Sequence, residues 1–140
     1  MPTVFTRIIE GEIPGTFVWR DDRCVAFMSI NPLRTGHTLV VPREEIDHWV
    51  DCPGPLRDHI FEVAQHIGEA IQSAFSPTRV GLMIAGLEVP HLHIHVVPID
   101  GVRDLDFANA AASVDRKELA EAAESIRRAL SDQGLSGVAR

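Results

Sequence analysis

His91-Leu92-His93-Ile94-His95-Val96-Val97 is the stretch that decides the fold. Three of the chain's seven histidines fall within five residues, at a spacing of two. A strand has a side-chain period of two, so His91, His93 and His95 project from one face. Leu92, Ile94 and Val96 then project from the other face, into a core. Alternate imidazoles on a strand lie about 6–7 Å apart, which suits one phosphate or one metal ion held against a sheet. Protonating all three is disfavoured, because like charges lower one another's pKa. At least one ring should therefore be neutral near pH 7 and available as nucleophile, base or ligand. Three readings of the row stand open: a solvated polar strand face, a metal site with two or three imidazole ligands, and a phosphate site with a histidine nucleophile.

Working outward, the triad strand closes at Pro98, and residues 86–90 lead into it as a turn. Strands are expected at 16–20, 24–29, 37–42 and 79–85, the first two forming a hairpin around Asp21-Asp22. A short helix over 5–11 stops at Gly11. Cys52-Pro53-Gly54-Pro55 is a breaker, and an amphipathic helix over 56–75 follows it. Ile60, Val63, Ala64, Ile67, Ala70, Ile71 and Ala74 repeat there at helical spacing. Residues 100–112 read as an irregular surface segment. Asp115 with Glu118 resembles a capping box opening a last helix, which buries Leu119, Ala122, Ala123, Ile126 and Leu130. About five strands and two main helices, with several strands before the first long helix, predict an α+β antiparallel layer.

The 140 residues predict a single domain, residues 1–140, with a core at about 3–99 and a C-terminal helix and tail over 100–140. With 45% apolar and 24% charged residues, only residues 134–140 suggest disorder. No apolar run has the length of a membrane span, and the start has no evident signal-peptide pattern, so no membrane partner is expected. A net charge of −7 argues against general nucleic-acid binding. Cys24 and Cys52 form no CxxC pair; a reducing cytoplasmic setting and no chemistry at either thiol are expected. His48, His59 and His66 are expected to be solvated or partly buried, although His59 and His66 share a helix face.

Five motifs occur in order: Phe5-x-x-Ile8-Ile9-x-Gly11-Glu12-Ile13-Pro14, Asp21-Asp22-x-x-Val25-Ala26-Phe27, Ile30-Asn31-Pro32, Gly36-His37-Thr38-Leu39-Val40-Val41-Pro42 and His91-x-His93-x-His95-Val96-Val97-Pro98. Together they resemble the histidine triad (HIT) family, in its Hint-like nucleotide-hydrolase branch, over about residues 3–99. The resemblance implies a meander of five antiparallel strands that pairs into a homodimer with a ten-stranded sheet. It implies hydrolysis of purine nucleoside 5′-phosphoramidates or related AMP-like nucleotidyl compounds, through a nucleotidyl-histidine intermediate on His93. His95 and His91 would donate to phosphoryl oxygens or fix the tautomer of His93, and His37 would support them across the sheet. Phe5, Ile8, Ile13, Phe27, Ile30 and Leu39 match a nucleoside pocket, and each taken alone also reads as plain core. Backbone N–H groups over Gly86–Val89 are candidate oxyanion donors.

Three positions depart from the family's pattern: Ser29 where a ribose-gripping Asp is common, Val80 where a phosphate-contacting Asn is common, and Glu88 in place of a small hydroxyl residue. Glu88 is read either as a general acid toward a leaving amine or as a turn cap. The resemblance requires no cofactor. The structural zinc of many bacterial relatives maps onto Thr3, Thr6, Glu45 and His91, and with three of those four ligands replaced it is expected to be absent. Two other functions remain open: a dinucleoside polyphosphate hydrolase or phosphorylase, and a nucleotide-binding or interaction module with weak activity.

Overall fold

The computed structural model describes residues 1–139. One five-stranded antiparallel sheet runs in the order β1-β2-β3-β5-β4. The strands are β1 (Phe17–Arg20), β2 (Cys24–Met28), β3 (Thr38–Pro42), β4 (Arg79–Met83) and β5 (Ile94–Ile99). The helices are α1 (Val4–Ile9), α2 (Gly54–Phe75) and α3 (Arg116–Asp132). The α+β class and the five antiparallel strands agree with the sequence reading; β3 pairs with β5, so the last two strands exchange places relative to a simple meander.

Alternation sorts the strand side chains into two faces. Cys24, Ala26, Met28, Val40, Leu92, Ile94 and Val96 pack with Ile60, Val63, Ile67 and Ile71 of α2 and with Ala123, Ile126 and Leu130 of α3. Full burial of each larger apolar side chain contributes about 1.5–3 kcal/mol. On the opposite face Phe17, Val25, Phe27, Leu39 and Val41 form a smaller cluster with Phe5 of α1. Both long helices thus cover one face, and the other is left thinly covered beside the imidazoles.

Asp115 caps α3 by accepting from the Lys117 N–H. Helix α2 begins two residues earlier than periodicity suggests, because Pro53 and Pro55 suit its first turn. Two expectations need correction. Regular strand geometry starts at Ile94, so His91 and His93 sit in the segment leading into β5, with His91 at a bend, and β5 continues past Pro98 to Ile99. The tail is ordered: Arg20 N–H donates to Gly137 O at 2.8 Å, Ala139 N–H donates to Val18 O at 3.1 Å, and Trp19 bridges Val138. A Cβ on Gly137 would lie 2.3 Å from the Trp19 ring, so only glycine lets the tail lie there. Residue 140, the end of the segment read as disordered, lies outside the described residues.

Candidate active site

The imidazoles are set by groups whose hydrogen-bonding roles are fixed. A backbone carbonyl only accepts and a backbone N–H only donates, so each neighbour dictates which ring nitrogen carries the proton. His93 Nδ1 lies 2.7 Å from the carbonyl of His91. Nδ1 therefore holds the proton, and Nε2 keeps a free lone pair. On β3's approach, His37 Nδ1 accepts from the Leu33 N–H at 3.0 Å. His37 Nε2 then carries the proton and donates to His95 Nδ1 at 2.9 Å. This leaves His95 with its proton on Nε2. Neither His93 Nε2 nor His95 Nε2 has a partner among the described residues, and the two rings stand edge to face with centroids 4.9 Å apart.

His91 behaves differently. Its Nε2–H donates to Pro42 O at 2.7 Å, and its Nδ1 accepts from the Thr3 hydroxyl at 2.7 Å. The ring is fully buried, so no nitrogen is left for a phosphate. Of the two roles expected for His91, phosphate contact is excluded in this geometry. Its peptide carbonyl fixes the His93 tautomer instead.

All four rings are neutral at pH 7. Burial, then the nearby His93 charge, pushes His37 down to about 4. Burial, then like charges on His37 and His93, pushes His95 down to about 3. Burial also lowers His91 and His93, partly offset by the carbonyl each ring donates to.

Phe5 packs edge-on against His93 at 4.8 Å and against Phe27 at 5.6 Å. Phe5, Phe27 and Leu39 are buried beside the triad, with Ile8 and Val89 against them. Leu39 is the register partner of His95. Ile13 is half-buried. Ile30 is 67% exposed beyond the end of β2 and belongs to no core. Ser29 Oγ accepts from the Asn31 N–H, and the residue lines a small cleft with Leu119 and Ala122 of α3. Gly86 adopts φ +71° in the turn before the triad, and Glu88 is exposed.

Counting back from the triad placed the phosphate-contact position at Val80. That side chain packs on the helix-covered face, and Met83, the register partner of His95, is the β4 residue on the triad side. The turn before the triad makes such counting unreliable. Phe107 belongs to the site although no motif in the sequence marks it. It sits in a short 3-10 turn, Phe107–Asn109, with its ring 5.1 Å from that of His95. Asp106 caps that turn, and Arg34 anchors the segment through Asp100 at 3.1 Å and Asp104 at 2.7 Å. A lone aromatic after a capping Asp was the available signal.

Of the other histidines, His59 and His66 have structural partners. His59 Nε2 donates to Asp21 Oδ2 at 2.6 Å, and His66 stacks on Trp19 at 6.1 Å; His59 and His66 do not pair with each other. His48 is exposed. Donor atoms of Asp21, Cys24 and His59 lie within 4.8 Å of one another, a spacing open to a metal. However, Asp21 already accepts from Trp19 Nε1, the N–H groups of Arg23 and Cys24, and His59. Burial, reinforced by Asp21, pushes the Cys24 thiol upward, so it stays protonated. The cluster clamps the β1–β2 hairpin to α2.

Comparison with known proteins bears on this geometry. A model of the HIT domain matches residues 10–102. The chain is 35% identical over 102 residues to an uncharacterized HIT-like protein of Borreliella burgdorferi, covering 68% of this chain and 73% of that protein. It is 30% identical over 100 residues to adenylylsulfatase HINT3 of Arabidopsis thaliana, covering 68% of this chain and 51% of that one. The fold superposes on a Hit-like protein of Bartonella henselae with TM-score 0.81 and 29% identity, covering 91% and 95% of the two chains. It superposes on a zinc-bound histidine triad family protein of Mycobacterium smegmatis with TM-score 0.79 and 25% identity, covering 94% of each. Because the matched segment contains the three imidazoles and all five strands that hold them, the chain belongs to the HIT domain family.

Proposed function

We propose that the protein hydrolyses purine nucleoside 5′-phosphoramidates or related nucleotidyl compounds through a nucleotidyl-histidine intermediate on His93. One observation carries this reading: the bond from His93 Nδ1–H to the His91 carbonyl presents a neutral Nε2 lone pair to the open face. In the first step Nε2 bonds to the α-phosphorus, and the bond from phosphorus to the leaving group breaks. The leaving amine takes its proton from solvent water, and the water that attacks in the next step returns one to solvent. In the second step water attacks phosphorus, the P–N bond to His93 breaks, and the nucleoside monophosphate leaves. His95 Nε2–H donates to a phosphoryl oxygen as charge builds there. Phe5, Phe27 and Leu39 offer an apolar wall for the nucleoside, with Ile8, Ile13 and Ile30 at its margin.

The likeness to an adenylylsulfatase supports a broader substrate range at the same phosphorus, an AMP moiety bearing a small leaving group. The experiment is a substrate panel: adenosine 5′-phosphoramidate, adenylyl sulfate and diadenosine polyphosphates. The phosphoramidate and the sulfate should release AMP faster than the polyphosphates. Preference for a polyphosphate would favour the dinucleoside branch, and AMP binding with no turnover of any compound would leave a binding module.

We further propose a homodimer. Strand β4 lies at the sheet edge, its own Leu82 is 45% exposed, and Phe61 of α2 is 37% exposed. An unpaired edge flanked by apolar side chains is a pairing surface. Sedimentation should give twice the chain mass, and Leu82→Lys should give monomer. A monomeric wild type would contradict it. No helix among the described residues is long and apolar enough to cross a membrane. Free thiols at Cys24 and Cys52 support a reducing cytoplasmic setting.

A further inference from the structure

The positions that match the relatives' zinc ligands meet in space, yet their donor set is wrong for that metal. Thr3 N–H donates to Glu45 Oε1 at 2.9 Å, and the Thr6 hydroxyl donates to the same oxygen at 2.5 Å. Thr6 N–H donates to Thr3 Oγ1 at 3.1 Å, and Thr3 Oγ1 lies 2.7 Å from His91 Nδ1. Proton placement follows from the ends of the chain. Pro42 O can only accept, so His91 Nε2 is protonated and Nδ1 is bare. The Thr3 hydroxyl must therefore point its proton at Nδ1. Structural zinc takes thiolates and imidazoles, and two threonine hydroxyls that stay protonated at neutral pH supply neither. Both threonine hydroxyls, both His91 ring nitrogens and one Glu45 oxygen already have partners.

We infer that this cluster is a metal-free clasp and that Thr3 is a positioning residue for the reacting histidine. The clasp acts on His93 from two sides. Through the His91 ring, pinned at both nitrogens, it holds the peptide whose carbonyl fixes His93 Nδ1–H at 2.7 Å. Through α1, which Thr3 caps, it holds Phe5 edge-on to the His93 ring at 4.8 Å. Glu45 ties that helix N-terminus to the segment after β3, 42 residues away in sequence. The link to turnover rests on the proposed reaction at His93; the metal-free clasp and the His91 tautomer do not.

Three substitutions test this. Thr3→Val removes the hydroxyl at constant shape. Thr3→Asp keeps a strong helix cap but cannot donate to Nδ1. Thr3→Ser keeps both functions. Losing the partner that orients a metal-ligating histidine typically costs about 10–100-fold, and the same scale is expected where the oriented imidazole is a nucleophile. Accordingly, kcat on adenosine 5′-phosphoramidate should fall about 10–100-fold in Thr3→Val and Thr3→Asp, with KM within about twofold, and return to within about threefold of wild type in Thr3→Ser. Ring 15N shifts should place the wild-type His91 proton on Nε2 alone, and Thr3→Asp should shift it while thermal unfolding stays near wild type. Metal analysis of protein purified from zinc-supplemented medium should find no stoichiometric zinc, and EDTA should leave Tm unchanged. Wild-type kcat in both Thr3→Val and Thr3→Asp, where His93 is still required, would overturn the positioning role alone. Stoichiometric zinc lost on Glu45→Ala would overturn the clasp.

Discussion

Replacing His93 with alanine is expected to lower kcat by on the order of 10⁴-fold or more. The fold should survive, with circular dichroism and a cooperative thermal transition close to wild type. Such a loss is large because the first covalent step has no substitute. His91 has both ring nitrogens bonded, His37 is buried with Nδ1 and Nε2 engaged, and His95 presents a proton where a nucleophile needs a lone pair. Only His93 offers a bare Nε2 among the four. A variant with near-normal turnover would mean that water attacks phosphorus directly.

The second large effect is expected at His95. The His95→Ala variant should lose about 10²–10³-fold in kcat while AMP affinity, measured by calorimetry, changes less than about threefold. The Leu33 N–H, His37 and His95 relay fixes the donor on Nε2 before substrate arrives, so its contribution falls mainly on the charge that builds in the transition state. Acid should not disable the relay early. An exposed imidazole is half protonated near 6.5, but burial moves His95 to about 3 and His37 to about 4, so each stays neutral as pH falls through 6. The acid limb of kcat/KM, which reports the free enzyme, should therefore follow His93 and lie below the ordinary imidazole value, because burial lowers that ring too. Equal losses in binding and turnover for His95→Ala would remove its proposed role.

Much of this architecture was legible because period-two alternation is a local property. Leu92, Ile94 and Val96 announced a core on one side of the triad, and Val25, Phe27 and Leu39 landed on the side where the imidazoles lie. Helix α3 and its Asp115 cap were legible for the same reason. What escaped depends on contacts distant in sequence. The tail over 134–139 has weak strand character and is ordered only because β1 offers an open edge and Gly137 fits under Trp19. Val80 and Met83 cannot be told apart by counting when a turn of special φ intervenes, and only the register with His95 decides between them. The role of Phe107 depends on Arg34 holding a segment 66 and 70 residues further along the chain. The charge pattern gave no hint that Thr3, Glu45 and His91 meet; only the resemblance, through the relatives' zinc positions, brought them together.

The most direct test is mass spectrometry of a reaction quenched in alkali, where phosphorus–imidazole bonds survive. With adenosine 5′-phosphoramidate as substrate, the tryptic peptide spanning residues 80–103 should carry one added nucleotidyl group, and fragmentation should place it on His93. Normal release of AMP under those conditions, with His93 always found unmodified, would contradict the covalent mechanism.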